Sequence, residues 1–318
     1  MRALLAEAGL ADSAGATPEA VGFPGGAAAR HDDRAFVLLD APRGRGLGKA
    51  IAWADQQGAG EVHLLTEDHA GVFARQARYF RLPATVWQVD GRSVERAEPE
   101  PLRPPAAPPE AALDLVGLLA AEGVDIVIEH GEVRGEILGL EIARIVVDGA
   151  DARIEVGVGR HDREAFALVH GDLPTTDALR SVVDSVRRQR RPDDLGHPLA
   201  RLAAERWLRA ALITEPHRVG ARSLEPVEPT VPRESIKDTA AAVAVGVDLD
   251  GHPIVVACSV GIDLDLVPAA ADARAAHAPG ARLVLALPER DAHPVTRRLA
   301  GALHEPAELV EVIGDWRA

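Results

Sequence analysis

Short apolar runs of strand length and longer amphipathic runs of helical period alternate along the chain. Near the N-terminus "FVLLD" (36–40) reads as a strand and "GLGKAIAWADQQG" as a helix; "EVHLL" is a second strand, "AGVFARQARYF" a second helix and "ATVWQV" a third strand. Proline then breaks the pattern, because "ERAEPEPLRPPAAPPE" (95–110) is too rich in it for helix or sheet. Beyond it, "AALDLVGLLAAEG" predicts an amphipathic helix and "VDIVIEH" a strand. A long hairpin turning near "DGAD" (148–151) follows, with helices to Arg191. After a second break, "RPDDLGHP", come the helix "LARLAAERWLRAAL" and an irregular proline-bearing passage. The hairpin "AAVAVGVDLDGHPIVVACSV", turning at Asp250-Gly251, precedes a helix–strand–helix–strand finish.

This alternation predicts an α/β protein with mixed sheets. Four segments are expected: an N-terminal βαβαβ unit (1–94), a proline-rich linker (95–110), a middle segment with a β-hairpin and helices (111–192), and a C-terminal domain (197–318). The two ends resemble each other in the order and length of their elements and in the placement of "TED" against "ERD". A duplication of one βαβαβ unit is therefore expected.

Composition narrows the class. A hydrophobic content of 47% with 26% charged residues belongs to a globular protein, and no apolar run approaches the roughly 20 residues of a spanning helix, so no membrane contact is expected. The start, "MRALLAEAGLADSAG", carries an apolar patch too short and too acidic for a signal peptide and reads as a first surface helix in a cytoplasmic protein. The single cysteine, Cys258, excludes an internal disulfide and a thiolate-rich zinc site. Lys49 and Lys237 are the only lysines; with the alanine excess, this reflects a high-GC genome rather than a function.

The net charge of −14 is concentrated in the middle. Residues 1–93 carry 10 basic and 11 acidic groups, residues 94–195 carry 12 and 21, and residues 196–318 carry 13 and 17. Proteins that coat nucleic acid show the opposite balance. Any such contact must be local and weak, and "RRQRR", with Arg187, Arg188, Arg190 and Arg191, is the candidate; a solvated helix end favoured by the macrodipole is the simpler reading of it.

Candidate chemistry is sparse. "APRGRGLGKA" (41–50) follows a strand and opens a helix, where phosphate-binding glycines belong. It fits neither a P-loop, which needs one more residue between Gly44 and Gly48, nor the dinucleotide fingerprint, which needs a small residue where Lys49 stands. "GRGLG" also resembles a piece of the GTP cyclohydrolase II family, whose zinc cysteines are absent. A tight strand-to-helix turn is the simpler reading. His31, Asp32 and Asp33 cluster, as do His161, Asp162 and Glu164, and Asp263 and Asp265 precede a helix. Helix capping explains Asp162, Asp263 and Asp265 without a metal. "EHGEVRGEILGLEIARI" (129–145) sets Glu129, Glu132, Glu136 and Glu141 in a strand pair, and the first three read as a solvated edge.

Residues 198–290 resemble the PD-(D/E)XK (restriction-endonuclease-like) superfamily, and within it NucS-type endonucleases. The likeness lies in a leading helix bearing Glu205, a short extended passage ("VGARSLEPVEP"), a hairpin and a helix. The resemblance implies an acid on the first hairpin strand and an acid-x-lysine trio on the second, the acids holding a divalent metal. Counted from Gly251 these positions are Val243 and Ala257-Cys258-Ser259, so the catalytic groups are missing. The N-terminal unit echoes the pattern with Asp40, followed by Pro42 in place of lysine. In the middle hairpin the same count from Gly149 lands on Glu141 and Glu155, with Gly157 where lysine belongs. A two-residue turn pairs Asp148 with Asp151 and Arg144 with Glu155, which puts Glu141 and Glu155 on opposite faces; a three-residue turn puts them on one face, where they repel unless a cation or proton intervenes.

The resemblance thus implies restriction-endonuclease-like units and a non-catalytic or strongly diverged nuclease-like protein. Such a protein serves in binding or assembly, with a protein partner or a second copy of itself. The alternative is a metal-dependent phosphodiesterase in which Glu141 and Glu155 hold magnesium or manganese and Arg160 or Arg144 replaces the lysine. A third reading is a nucleotide-binding enzyme using the Gly44–Gly48 turn.

Overall fold

The computed structural model describes residues 2–10, 20–40, 44–149, 151–159, 162–163, 175–191, 197–232 and 240–317. The protein is α/β, with three mixed or antiparallel sheets among these residues. The chain divides into two compact units. The first comprises Met1–Leu102, Ile262–Asp272 and Ala292–Leu309, and the second Arg103–Gly261, Ala273–Asp291 and Val310–Ala318.

In the first unit helix α1 (Arg2–Glu7) precedes strands β1 (Val21–Phe23), β2 (Gly26–His31) and β3 (Arg34–Leu39), an antiparallel meander. Only β3 shows in the apolar pattern; β1 and β2 are small-residue strands whose sequence, "VGFPGGAAARH", reads as a loop. Gly26 is required at the corner, since a Cβ there would stand 1.9 Å from the Leu38 carbonyl oxygen. Helix α2 (Leu47–Gln56) and helix α3 (Ala70–Ala77) then carry the chain to the parallel strands β4 (Glu61–Thr66) and β5 (Ala84–Asp90), and β6 (Ser93–Arg96) closes the sheet. Leu5 of α1 buries its side chain with Phe36, Leu65 and Val89, as expected of an amphipathic surface helix. Beside α3, Arg75 grips the wholly buried Asp272 with two hydrogen bonds of 2.8 Å, and Tyr79 donates to the same carboxylate at 3.1 Å.

Residues 97–109, which lead from the first unit into the second, have no regular structure, as their prolines require, and in the second unit two short helices follow, α4 (Glu110–Leu113) and α5 (Val116–Ala121). Then comes an antiparallel sheet of β7 (Asp125–Glu129), β8 (Glu132–Ile137), β9 (Leu140–Asp148) and β10 (Asp151–Val156), in the order β10-β9-β8-β7. Its apolar face, with Val133, Ile137, Ile145 and Val156, packs on Leu179, Val183 and Val186 of helix α6 (Thr175–Gln189). Helix α7 (Pro198–Arg201) leads to α8 (Ala204–Thr214), which covers β11 (Ala221–Val227), β12 (Ala242–Asp248) and β13 (Pro253–Cys258). β12 and β13 form the expected antiparallel hairpin, with no helix between 242 and 258. β14 (Arg282–Pro288) runs parallel to β13, and β15 (Glu308–Val312) ends a sheet of order β11-β12-β13-β14-β15. This sheet and the first share one scheme: two antiparallel pairings, then a parallel step reached through a helix.

Candidate functional site

The second face of the middle sheet is polar, and a single extra residue brings Glu141 and Arg144 of β9 onto it together. β8 and β9 pair Gly135 with Ala143 but Glu136 with Glu141, so one residue of β8 is passed by two of β9 and Ile142 bulges out of the ladder. Without the bulge Glu141 and Arg144, three positions apart, would point to opposite faces. With it they share one, and Arg144 donates to Glu141 at 3.1 Å. The turn at 148–151 is the two-residue type, pairing Asp148 with Asp151 and Arg144 with Glu155. The parity count predicts opposite faces for Glu141 and Glu155 in that case; the bulge reverses the outcome and brings both onto one face.

What stands between the two carboxylates is a fixed cation of the chain. Arg163 lies 2.9 Å from Glu141 and 4.0 Å from Glu155, with Arg144 beside them. Arg160, the residue proposed from sequence as the replacement for lysine, lies outside the described residues, as does His161. Glu141 is only 4% exposed, and its oxygens take Arg144 and Arg163, with Arg134 at 3.6 Å. Glu155 is half-buried and also accepts from Arg153 at 2.8 Å. A cleft of about 580 Å³ opens over Glu132, Arg144, Glu155 and Arg163.

The other glutamates correct the expectation of a wet edge. Glu132 is half-exposed and pairs with Arg134 and Arg144. Glu129 and Glu136 are each 2% exposed, because α8 lies over them. Arg206 of α8 bonds both, and Arg209 donates to Glu136 at 3.0 Å. Burial pushes the Glu129 carboxyl up, but Arg206, Arg209 and Arg134 outweigh it and hold the carboxyl below its ordinary range. The same carboxylates raise the Arg206 guanidinium against its own desolvation. The polar face is thus a layer in which each buried glutamate has an arginine on it. A charge this deep is tolerated only when paired and hydrogen-bonded. The arginines at 206 and 209, three apart on one helix side, and Arg163 were the signal missed: buried acids on a strand require cations elsewhere in the chain.

The arginine run at the end of α6 is also corrected. Arg187 and Arg188 are exposed and Arg191 is exposed, but Arg190 is 1% exposed. Its guanidinium donates to the carbonyls of Leu138, Leu199, Leu202 and Ala203 and stacks 4.3 Å from the Trp207 ring centroid. Burial lowers its pKa to about 9, so it still carries its charge at neutral pH. It cannot reach a phosphate, and the four-arginine patch reduces to three.

In the first unit the Gly44–Gly48 turn holds an anion of its own. The amides of Gly46 and Gly48 both donate to Asp265 Oδ1 at 2.9 Å, and Asp263 accepts from Arg45 at 2.6 Å. Asp265 therefore caps α2 rather than the helix it precedes (Leu266–His277), and the two amides a phosphate would use are engaged. Asp40, the N-terminal echo of a catalytic acid, is exposed.

In the C-terminal sheet Val243, Ala257 and Ser259 are all buried, and Cys258 between them has its thiol pushed up to about 12 by burial. None offers a carboxylate to a hard cation. Among the described residues one group with three ligand atoms within 4.8 Å of one another stands at the β12–β13 turn: Asp248, Asp250 and His252. Asp248 Oδ1 there accepts the amides of Asp250 and His252 at 2.9 and 2.8 Å, which is the bonding of a turn cap and draws its carboxyl pKa down. Among the described residues no helix is long and apolar enough to cross a membrane. Compared with protein-family models, with curated proteins and with solved structures, the chain matches none.

Proposed function

We propose that the protein is a non-catalytic, strongly diverged relative of metal-dependent nucleases, acting in the cytoplasm as a binding or assembly protein. The observation that carries this reading is Arg163 between Glu141 and Glu155. A metal-dependent nuclease needs two carboxylates free to take a divalent ion, which polarises the phosphate and activates water. Here a guanidinium already neutralises the pair, and displacing it would strand a buried arginine.

Two further features support the proposal. The succession α8, β11, the β12–β13 hairpin and helix Leu266–His277 follows the order the nuclease resemblance implies. The three positions where that resemblance calls for catalytic groups carry Val243, Ala257 and Ser259. The shared pairing scheme of the first and third sheets is in keeping with two related units.

The test is cleavage of plasmid and single-stranded DNA in magnesium or manganese, together with calorimetric titration of manganese into wild type and Glu141→Gln. No cleavage and no Glu141-dependent heat are expected. Metal-dependent cleavage that Glu141→Gln abolishes would replace this reading with an active phosphodiesterase.

A further inference from the structure

The middle sheet pairs two acids directly across β7 and β8, Asp125 with Glu136. Like charges in that position are destabilising, so each needs a counter-charge. Glu136 has two, Arg206 and Arg209. Asp125 makes no hydrogen bond or ion pair among the described residues and feels Arg187 and Arg209 only at a distance. It stands at the mouth of a cleft of about 460 Å³, lying between the β7–β8 edge and α8 within the second unit.

The cleft is built for more than water. Trp207 and Trp316 line it, packed edge to face with centroids 6.2 Å apart, and Leu138 and Ile213 contribute aliphatic wall. Its charged residues are Asp125, Glu136, Glu215 and Asp315 against Arg209 and Arg218, an acidic excess of two. Both arginines are engaged: Arg209 with Glu136, and Arg218 with Glu215 at 3.1 Å. A cleft walled by tryptophan and aliphatic side chains, with the exposed Asp125 carboxylate at its edge and no cation of the described residues bonded to it, favours a ligand with an apolar body and one positive end.

We propose that this cleft binds a small organic monocation with an aliphatic stem, an alkylammonium or alkylguanidinium, whose charge pairs with Asp125 while its stem lies against Trp207, Leu138 and Ile213. The site does not depend on the nuclease-like reading and stands if that reading fails. Desolvation and the facing Glu136 raise the Asp125 carboxyl above its ordinary range, with Arg187 and Arg209 opposing. The cation gives Asp125 a bonded counter-charge of its own, which Glu136 already has in Arg206 and Arg209. Affinity should therefore fall on acidification earlier than an ordinary aspartate would dictate, because the ligand stays protonated throughout, its pKa being about 10 as for lysine.

The experiment titrates the full chain with three probes of one stem length: hexylammonium, hexanol and hexanoate. Binding is followed by calorimetry and by tryptophan emission, which Trp207 and Trp316 report. Hexylammonium should bind at least about tenfold more tightly than hexanol, a difference of about 1.4 kcal/mol, and hexanoate should not bind. Asp125→Asn should bring hexylammonium down to the level of hexanol. Ala210→Met, which narrows the same cleft from α8, should weaken hexylammonium and hexanol together. Equal affinity for hexylammonium and hexanol in wild type, or unchanged hexylammonium binding in Asp125→Asn, would overturn the proposal. So would the absence of any saturable hexylammonium signal from a chain whose unfolding midpoint shows it to be folded.

Discussion

Arg163 lies 2.9 Å from Glu141 across the polar face of the middle sheet and 4.0 Å from Glu155, so the two carboxylates that a metal would have to share are closed by a guanidinium. The same pairing recurs deeper in the layer, where Arg206 and Arg209 close Glu129 and Glu136. The buried carboxylates of this face are all committed to arginines: Glu141 to Arg144 and Arg163, and Glu129 and Glu136 to the arginines that tie α8 to the sheet.

Glu136→Ala should be severely destabilising. It leaves Arg206 and Arg209 buried with half their acceptors, and breaking a buried pair from one side costs about 3–5 kcal/mol. Glu132→Ala, whose side chain is 42% exposed, should cost no more than about 1 kcal/mol. Urea unfolding of the two variants beside wild type measures both, and equal losses would contradict the buried layer.

Acid should loosen the second unit through Glu129. Its carboxyl is held low in the folded state, so its contribution is present above the unfolded value near 4.5 and is lost as pH falls through the lower folded value. Melting temperature should drop steeply on acidification below about pH 4.5. Glu129→Gln, less stable at pH 7, should show a shallower drop.

His63 should act in the same sense within the first unit, but in a higher pH window. It is 7% exposed, stacks on Phe36, accepts from Trp87 Nε1 at 3.3 Å through Nδ1 and meets Glu61 through Nε2. Burial lowers its pKa below 6.5, with Arg34 adding to the shift and Glu61 opposing it. The neutral ring is the folded one, so this stability is present above pH 6.5 and lost as pH falls toward the lower folded value. A loss of stability across that window that is absent in His63→Gln is the expected result, read from melts monitored by tryptophan emission.

Any nucleic-acid binding through the end of α6 should lose salt dependence in proportion to three arginines rather than four. At about 0.9 per phosphate, Arg187, Arg188 and Arg191 give a slope no steeper than about −2.7 on duplex DNA. Arg190→Ala should instead unfold the protein more easily, since four carbonyls lose their donor. A slope steepened by Arg190 would show that it reaches the surface.

Much of the fold is written in hydrophobic period. β3, β4, β5 and the β12–β13 hairpin stand out because they are apolar on both faces or nearly so, and α2, α3 and α8 because their apolar positions recur at helical spacing. β1 and β2 do not, since alanine and glycine carry little signal in a strand. The charged layer was half legible. Four glutamates in "EHGEVRGEILGLEIARI" announce a polar face, but their burial depends on Arg206 and Arg209, about 70 positions away. The bulge at Ile142 has only a faint mark, Glu141 and Arg144 spaced by three inside a strand, where two or four would be regular.

The seat of Asp265 in the Gly46 and Gly48 amides joins positions 219 apart. During synthesis the start of α2 leaves the ribosome long before its cap exists. The intervening second-unit segment, Arg103–Gly261, takes roughly 10–30 s to translate at ordinary rates. Through that interval the first unit waits incomplete, lacking the cap of α2 and, at Asp272, the anchor of Arg75. The nascent chain thus has an order of assembly imposed on it, in which the middle sheet, whose strands β7 to β10 and helix α6 are contiguous in sequence, is free to fold before the first unit does.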